Sequence, residues 1–276
     1  MKRLIRLGIS TCPNDTFLLH ALLEGEIDLG ELEFEVEFLD VQELNDRLIA
    51  GDFDAAKASF YCGLTLAGKL AILDCGSALG FGVGPLLLGS KERTNVPQRV
   101  LCPGRWTTAN LLYSLFHADL GQPEQVVFSE IIPALEAGEA DLGVCIHEGR
   151  FTWQARGLDL VSDLGVTWES ATDSPLPLGG IFIRKSLGAD VASQVNACLR
   201  ASLDWGLAHR EATLKTMSRH AQELDPAVIW SHVDLYVNEH THTLGSVGQR
   251  ALTALDREAR RAGLLAVDAP RLEIFS

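Results

Sequence analysis

The sequence predicts an α/β protein of two lobes, with mostly parallel sheets, flanking helices and a helical C-terminal part. Three observations carry this. Short apolar runs of strand length alternate with helix-length periodic segments along the first part of the chain. A polar connection at Lys91–Gln98 and a return near Ser174–Gly180 divide the chain, so residues 1–90 and 180–276 make one lobe and 91–179 the other. From Asp190 the pattern changes to long helices. Two α/β lobes joined by two crossings are a common way to build a clamp with its site in the cleft.

Arg3–Ile9 reads as a strand, and Asn14 or Asp15 can cap a helix carrying Phe17, Leu18, Ala21 and Leu22 until Gly25. Leu32–Leu39 alternates strictly, with Glu31, Glu33, Glu35 and Glu37 on one side, as a strand near a sheet edge would. Val41–Ala50 is a helix ended by Gly51, and Phe53–Lys57 a buried strand before a helix opened by Ser59. Ala71–Asp74 and Pro85–Leu88 are strands joined by the glycine-rich Gly76–Gly84. Val100–Leu101 starts a strand, Thr107 or Thr108 opens a helix to Phe116, and Gln125–Phe128 is again a strand. Glu130–Ala137 is a helix, followed by strands at Ala140–Ile146 and Leu178–Ile183. Helices at Asp190–Arg210, Glu211–His220, Pro226–Asn238 and Ser246–Ala262 complete the chain.

Composition excludes several functions. The 276 residues are 47% hydrophobic and 22% charged, ample for a packed core. A net charge of −14 repels phosphate backbones, so nucleic acid is not an expected partner. No apolar run is long enough to cross a bilayer, and the basic start lacks the apolar stretch of an export signal, so a cytoplasmic protein is expected. The six cysteines are scattered, giving neither a disulfide framework nor a zinc knuckle. His232, Glu239, His240 and His242 lack a recognised metal-ligand spacing, so no metal is expected.

Ligands of parallel α/β sheets sit beyond the carboxyl ends of strands. The residues there are Ser10–Asp15, Lys57-Ala58-Ser59, Gly76–Gly84, Gly104–Thr108 and Ile146–Arg150. They supply hydroxyls, helix-start amides, cations and a histidine, a set suited to a small carboxylate. His147, after the buried run Leu142–Ile146, is either a general base or acid or a loop hydrogen-bonder; position alone leaves both open. Glu148 is its partner or is solvated. Thr107 and Thr108 either cap a helix or help bind an anion. Cys12 precedes a helix start, which can activate a thiol, though a packed or hydrogen-bonding thiol fits as well. Asn14 and Ser77 are further candidates for the cleft. Gly80-Phe81-Gly82-Val83-Gly84 precedes a strand rather than a helix and so is not a dinucleotide fingerprint.

Several of these segments occur together in one known family. Ser10-Thr11-Cys12-Pro13-Asn14-Asp15-Thr16-Phe17, Asp40–Asn45, Lys57-Ala58-Ser59, Gly76–Leu86, Thr107-Thr108-Ala109-Asn110, Ile146-His147-Glu148-Gly149-Arg150-Phe151-Thr152 and Pro175–Gly180 resemble, in order and number, the 1,4-dihydroxy-6-naphthoate synthases. These are lyases of the futalosine route to menaquinone, and the likeness runs from about residue 5 to 185. It implies a periplasmic-binding-protein-like (type 2) fold and His147 as proton acceptor. It also implies Lys57, Ala58 and Ser59 as one substrate-contacting segment and Thr107 and Thr108 as a second, which can extend to Ala109 and Asn110. The implied substrate is cyclic dehypoxanthine futalosine, a carboxylated bicycle joined to a sugar remnant. A base-initiated carbon–carbon cleavage, driven by aromatisation, demands no cofactor. The sister chorismate dehydratase, or a cytosolic binding or sensor protein on the same fold, is the competing reading. The chain is expected to be a monomer or a homodimer.

Overall fold

The computed structural model describes residues 2–91, 93, 97–147, 149–221 and 225–275. β1 (Arg3–Ser10) leads into α1 (Pro13–Glu24), whose Pro13 stands in the first turn, where its missing N–H costs nothing. The helix therefore starts ahead of the expected caps: extended Cys12 is the N-cap, and Asn14 and Asp15 are buried within the first turn. β2 (Leu32–Leu39) is the edge strand its alternation predicts. α2 (Val41–Ala50) is capped by Asp40, whose side chain accepts from Gln42 N–H, and ends at Gly51 with φ 87°. β3 (Ala55–Ser59), α3 (Phe60–Thr65), β4 (Leu70–Leu73) and the short β5 (Ala78–Gly80) follow.

The chain then builds a second sheet from β6 (Leu86–Gly89), β7 (Val100–Cys102), β8 (Glu124–Gln125), β9 (Leu142–Cys145) and β10 (Asp159–Asp163). Between them lie α4 (Thr108–Phe116), α5 (Phe128–Glu136) and α6 (Gly149–Thr152). Phe128 begins α5, so the strand expected over Gln125–Phe128 shrinks to β8. α7 (Leu164–Thr172) leads back to β11 (Leu176–Arg184). α8 (Ala189–Ala208), α9 (Arg210–His220), α10 (Pro226–Tyr236), α11 (Glu239–His242), α12 (Gly245–Arg261) and β12 (Glu273–Phe275) end the described chain.

The larger sheet runs β12-β4-β11-β3-β1-β2, with β5 also paired to β11; the smaller runs β10-β6-β9-β7-β8. Both are mixed, not mostly parallel. β11 is antiparallel to β3, β4 and β5, and β6 is antiparallel to β9 and β10. The reason is connectivity: β6 leaves the cleft and β11 returns from it, so both run against strands that end there. The division expected at residue 90 also shifts, because β6 already belongs to the smaller sheet. The outward crossing is residues 81–85, and the return follows β10, ahead of residue 180. Part of the expected Lys91–Gln98 connection lies outside the described residues.

Apolar packing forms three layers. Ile5, Leu7 and Ile9 of β1 pack with α1 and α8 on the outer face of the larger sheet. A central cluster reaches from Leu44 and Ile72 through Leu112 to Val144 and Trp168, between the sheets. A third, around Leu88, Ile131 and Leu135, covers the smaller sheet. Each fully buried Leu, Ile or Phe contributes about 1.5–3 kcal/mol. No disulfide joins the cysteines, and burial pushes the Cys62, Cys75 and Cys145 thiols up to about 12. Among the described residues no helix is long and apolar enough to cross a membrane.

Candidate active site

The carboxyl ends of β1, β3, β7 and β9 and the amino ends of β6 and β11 meet at one cavity of about 100 Å³. From the larger sheet come Ser10, Cys12, Asn14, Asp15, Lys57, Ala58 and Ser59; from the smaller, Thr107, Thr108, Ala109, His147 and Arg150. Ser77 is buried beside Gly180 but does not line this cavity, contrary to its place among the expected cleft residues.

Asp15 organises one wall. Its carboxylate pairs with Lys57 Nζ at 2.7 Å and accepts from Ser10 Oγ and Asn14 Nδ2. Lys57 also donates to the Gly76 carbonyl at 2.9 Å, so its charge is already neutralised by a buried partner. Asn45, fully buried on α2, accepts from Ser59 N–H at 3.0 Å and donates to Ser59 Oγ at 3.3 Å. Ser59 therefore keeps its hydroxyl hydrogen for a ligand.

Across the cleft, Thr107 caps α4: its hydroxyl accepts from Asn110 N–H and donates to the Gly104 carbonyl. Thr108 Oγ1 donates to the Leu178 carbonyl at 2.7 Å and accepts from Tyr61 N–H. Both hydroxyls thus serve the fold. What this segment offers a ligand is the N–H groups of Thr108 and Ala109, which lie in the first helical turn and have no intrahelical partner.

His147 follows β9 with φ 54°, a left-handed conformation uncommon for a residue with a Cβ. Its Nδ1 lies 3.1 Å from Cys12 Sγ, so the pairing joins the two sheets. Phe128 holds the ring edge-on at 4.7 Å, and His232 stacks on it at 6.5 Å. Glu148, either its partner or solvated by the sequence reading, lies outside the described residues. Arg150 donates to the Gly84 carbonyl and pairs with Asp163 at 2.9 Å, tying the outward crossing to β10.

Sequence reasoning placed His232 in the helical tail and missed that it lines the cavity with Tyr236. A signal was there: Ile229, His232, Val233 and Tyr236 share the buried face of α10. Its supposed companion His242 instead pairs with Asp204. Among the described residues no group of three or more His, Cys, Asp or Glu side chains is placed to hold a metal ion.

Two mixed α/β sheets facing one cleft, joined by two crossings, define the class: a two-lobed, periplasmic-binding-protein-like clamp. The alkanesulfonate-binding protein of Xanthomonas axonopodis pv. citri shares this fold, with TM-score 0.72, 16% identity and 99% of each chain covered. A crystal structure of an Archaeoglobus fulgidus protein is more similar, at TM-score 0.89 and 30% identity over 95% of this chain and 98% of that one. Residues 5–261 match the model of a family described as menaquinone biosynthesis, and the chain belongs to that family. A Thermus thermophilus protein named 1,4-dihydroxy-6-naphtoate synthase is 40% identical over 95% of this chain and 96% of its own length. One of the same name from Streptomyces coelicolor is 38% identical over 95% and 94%.

Proposed function

We propose that this protein is the carbon–carbon lyase that converts cyclic dehypoxanthine futalosine into 1,4-dihydroxy-6-naphthoate. Full-length similarity to two proteins named for that product supports the activity. The observation that supports the mechanism is the strained His147, held against Cys12 in a cavity walled by both sheets.

Nδ1 of His147 is the nitrogen nearer the sulfur, at 3.1 Å against 3.8 Å for Nε2; with Nδ1–H donating to Cys12 Sγ, Nε2 is the nitrogen that takes a proton from a hydroxyl of the sugar remnant. That oxygen's electron pair forms a carbonyl, the adjacent carbon–carbon bond to the bicycle breaks, and its pair passes into the ring system, which aromatises. Ser59 and the Thr108 and Ala109 N–H groups hold the carboxylate and steady the developing negative charge. Lys57, already paired, shapes this wall through Asp15 rather than as a free cation. The enzyme works in the cytoplasm, where its buried thiols remain reduced.

Incubating the purified protein with cyclic dehypoxanthine futalosine should generate the naphthoate absorbance. Binding without turnover would favour a sensor, and turnover of a chorismate-type acid would favour the dehydratase. His147→Ala and His147→Asn should fold, bind the product and lose about 10²–10⁴-fold in rate. A folded His147→Ala enzyme with near-native turnover would remove the histidine from the chemistry.

A further inference from the structure

We propose that His232 is a hydrogen-bond acceptor of the cleft, taking through Nδ1 a substrate hydroxyl next to the one that His147 deprotonates. The proposal rests on the lyase reading above. It starts from Asp15, which as the ion-pair partner of Lys57 can only accept. Asn14 Nδ2 donates to Asp15 Oδ1 at 2.9 Å, which turns the amide carbonyl of Asn14 toward His232. That carbonyl lies 2.9 Å from His232 Nε2 and has no hydrogen to give, so Nε2 carries the proton. A neutral imidazole has a single N–H, and the lone pair therefore sits on Nδ1.

The surroundings keep the ring in this state. Burial, helped by His147 and Lys57 nearby, holds its pKa well below the usual histidine value. Tyr236, with its ring centroid at 4.5 Å, packs against it. Nδ1 makes no hydrogen bond among the described residues, although His232 lines the cavity. The stacked pair then divides its work by environment: His147 accepts a proton, while His232, disfavoured as a cation, accepts only a hydrogen bond. A carboxylate has no hydrogen to offer this lone pair, whereas a hydroxyl does. Adjacent hydroxyls of a sugar suit two imidazoles side by side, so the ligand group is a polyol, not the acid end of the substrate.

Two measurements on the full-length protein test this. With ¹⁵N-labelled histidines, the imidazole spectrum should show His232 as the Nε2–H tautomer, its signals identified by their loss in His232→Gln. His232→Phe, which keeps a ring but no nitrogen, should raise KM for cyclic dehypoxanthine futalosine about threefold to tenfold, with kcat falling less. Affinity for 1,4-dihydroxy-6-naphthoate, which lacks the sugar remnant, should stay within about twofold. His232→Gln supplies both a donor toward Asn14 and an acceptor, and should recover most of the loss. The Nδ1–H tautomer, an unchanged KM in folded His232→Phe, or equal weakening of substrate and product would overturn the proposal. If His232→Phe fails to fold, the tautomer and the Gln variant decide. If the unaltered protein turns over none of the substrate, the lyase reading fails, and the tautomer is read independently of it.

Discussion

His20 shows at the residue scale what burial does to a histidine here. It is 4% exposed, with Nδ1 2.7 Å from Thr216 Oγ1 and its ring 5.2 Å from Trp205. Burial lowers its pKa, and the opposing pull of Glu24 and Glu26 does not cancel this. His232 is shifted the same way and further. The unfolded chain takes up protons at these rings near pH 6.5, whereas the folded chain resists until lower pH. Between those values the unfolded state binds more protons, so stability falls as pH falls. Denaturant unfolding should lose stability as pH falls from 6.5 toward the lowered folded values, at no more than about 1.4 kcal/mol per pH unit for each such histidine, with little histidine-dependent change above pH 6.5. His20→Gln should flatten that slope; an unaltered slope would mean that the His20 ring protonates in the fold as readily as in the unfolded chain.

The two crossings meet backbone to backbone. A Cβ on Gly84 would lie 2.2 Å from Gly165 Cα, and one on Gly165 would lie 2.7 Å from Gly84 Cα. Both obstacles are backbone, which cannot rotate aside. Leu164 N–H, donating to the Pro85 carbonyl at 3.0 Å, fastens the same pair of segments. Gly84→Ala should therefore cost about 1–3 kcal/mol in denaturant unfolding, as overpacking does. An unfolding midpoint equal to that of the native protein would show that the crossings slide apart freely. The glycine-rich stretch was legible as a non-nucleotide turn, but which backbone it met was not, because Gly165 is far along the chain. Legibility elsewhere followed local signals: β2 and α2 were readable from strict alternation and from Asp40 with Gly51. β10, α7 and β12 were not, since β10 holds Asp159, Ser162 and Asp163 on an edge and β12 is very short. Strand direction was also hidden. Alternating strands and helices suggest parallel pairing, and only the returns to the cleft reverse β6 and β11. Of the site, His147, Ser59 and the α4 start were readable as strand-end residues. His232 was not, because tertiary packing alone decides which cavity a helix face reaches.

At the scale of the whole molecule, the expected motion is closure of the two sheets on the cleft. The cavity of about 100 Å³ is smaller than the roughly 300–1,000 Å³ that usually holds an organic ligand. The proposed substrate, a bicycle with a sugar remnant, is expected to need the sheets to separate before it can enter. Residues 81–85 and the return to β11 are the only chain crossings between the sheets among the described residues, and they are where rotation has to be absorbed. The central apolar cluster limits its extent: Tyr61 of α3 faces Trp106 across the sheets at 6.2 Å, and Leu112 and Leu252 lie in the same layer. Opening wide would expose this layer to water, so a modest hinge is expected rather than free lobes. The Cys12–His147 contact then forms only when the lobes meet, since Cys12 caps α1 and His147 follows β9. Closure thus places His147, the proposed base, as it excludes water. Small-angle scattering of the free protein should give a larger radius of gyration than the protein saturated with 1,4-dihydroxy-6-naphthoate, whose profile should match the structure described here. Identical profiles, with product binding verified by calorimetry, would mean that the cleft admits its ligand without hinge motion and that the His147 pairing is permanent.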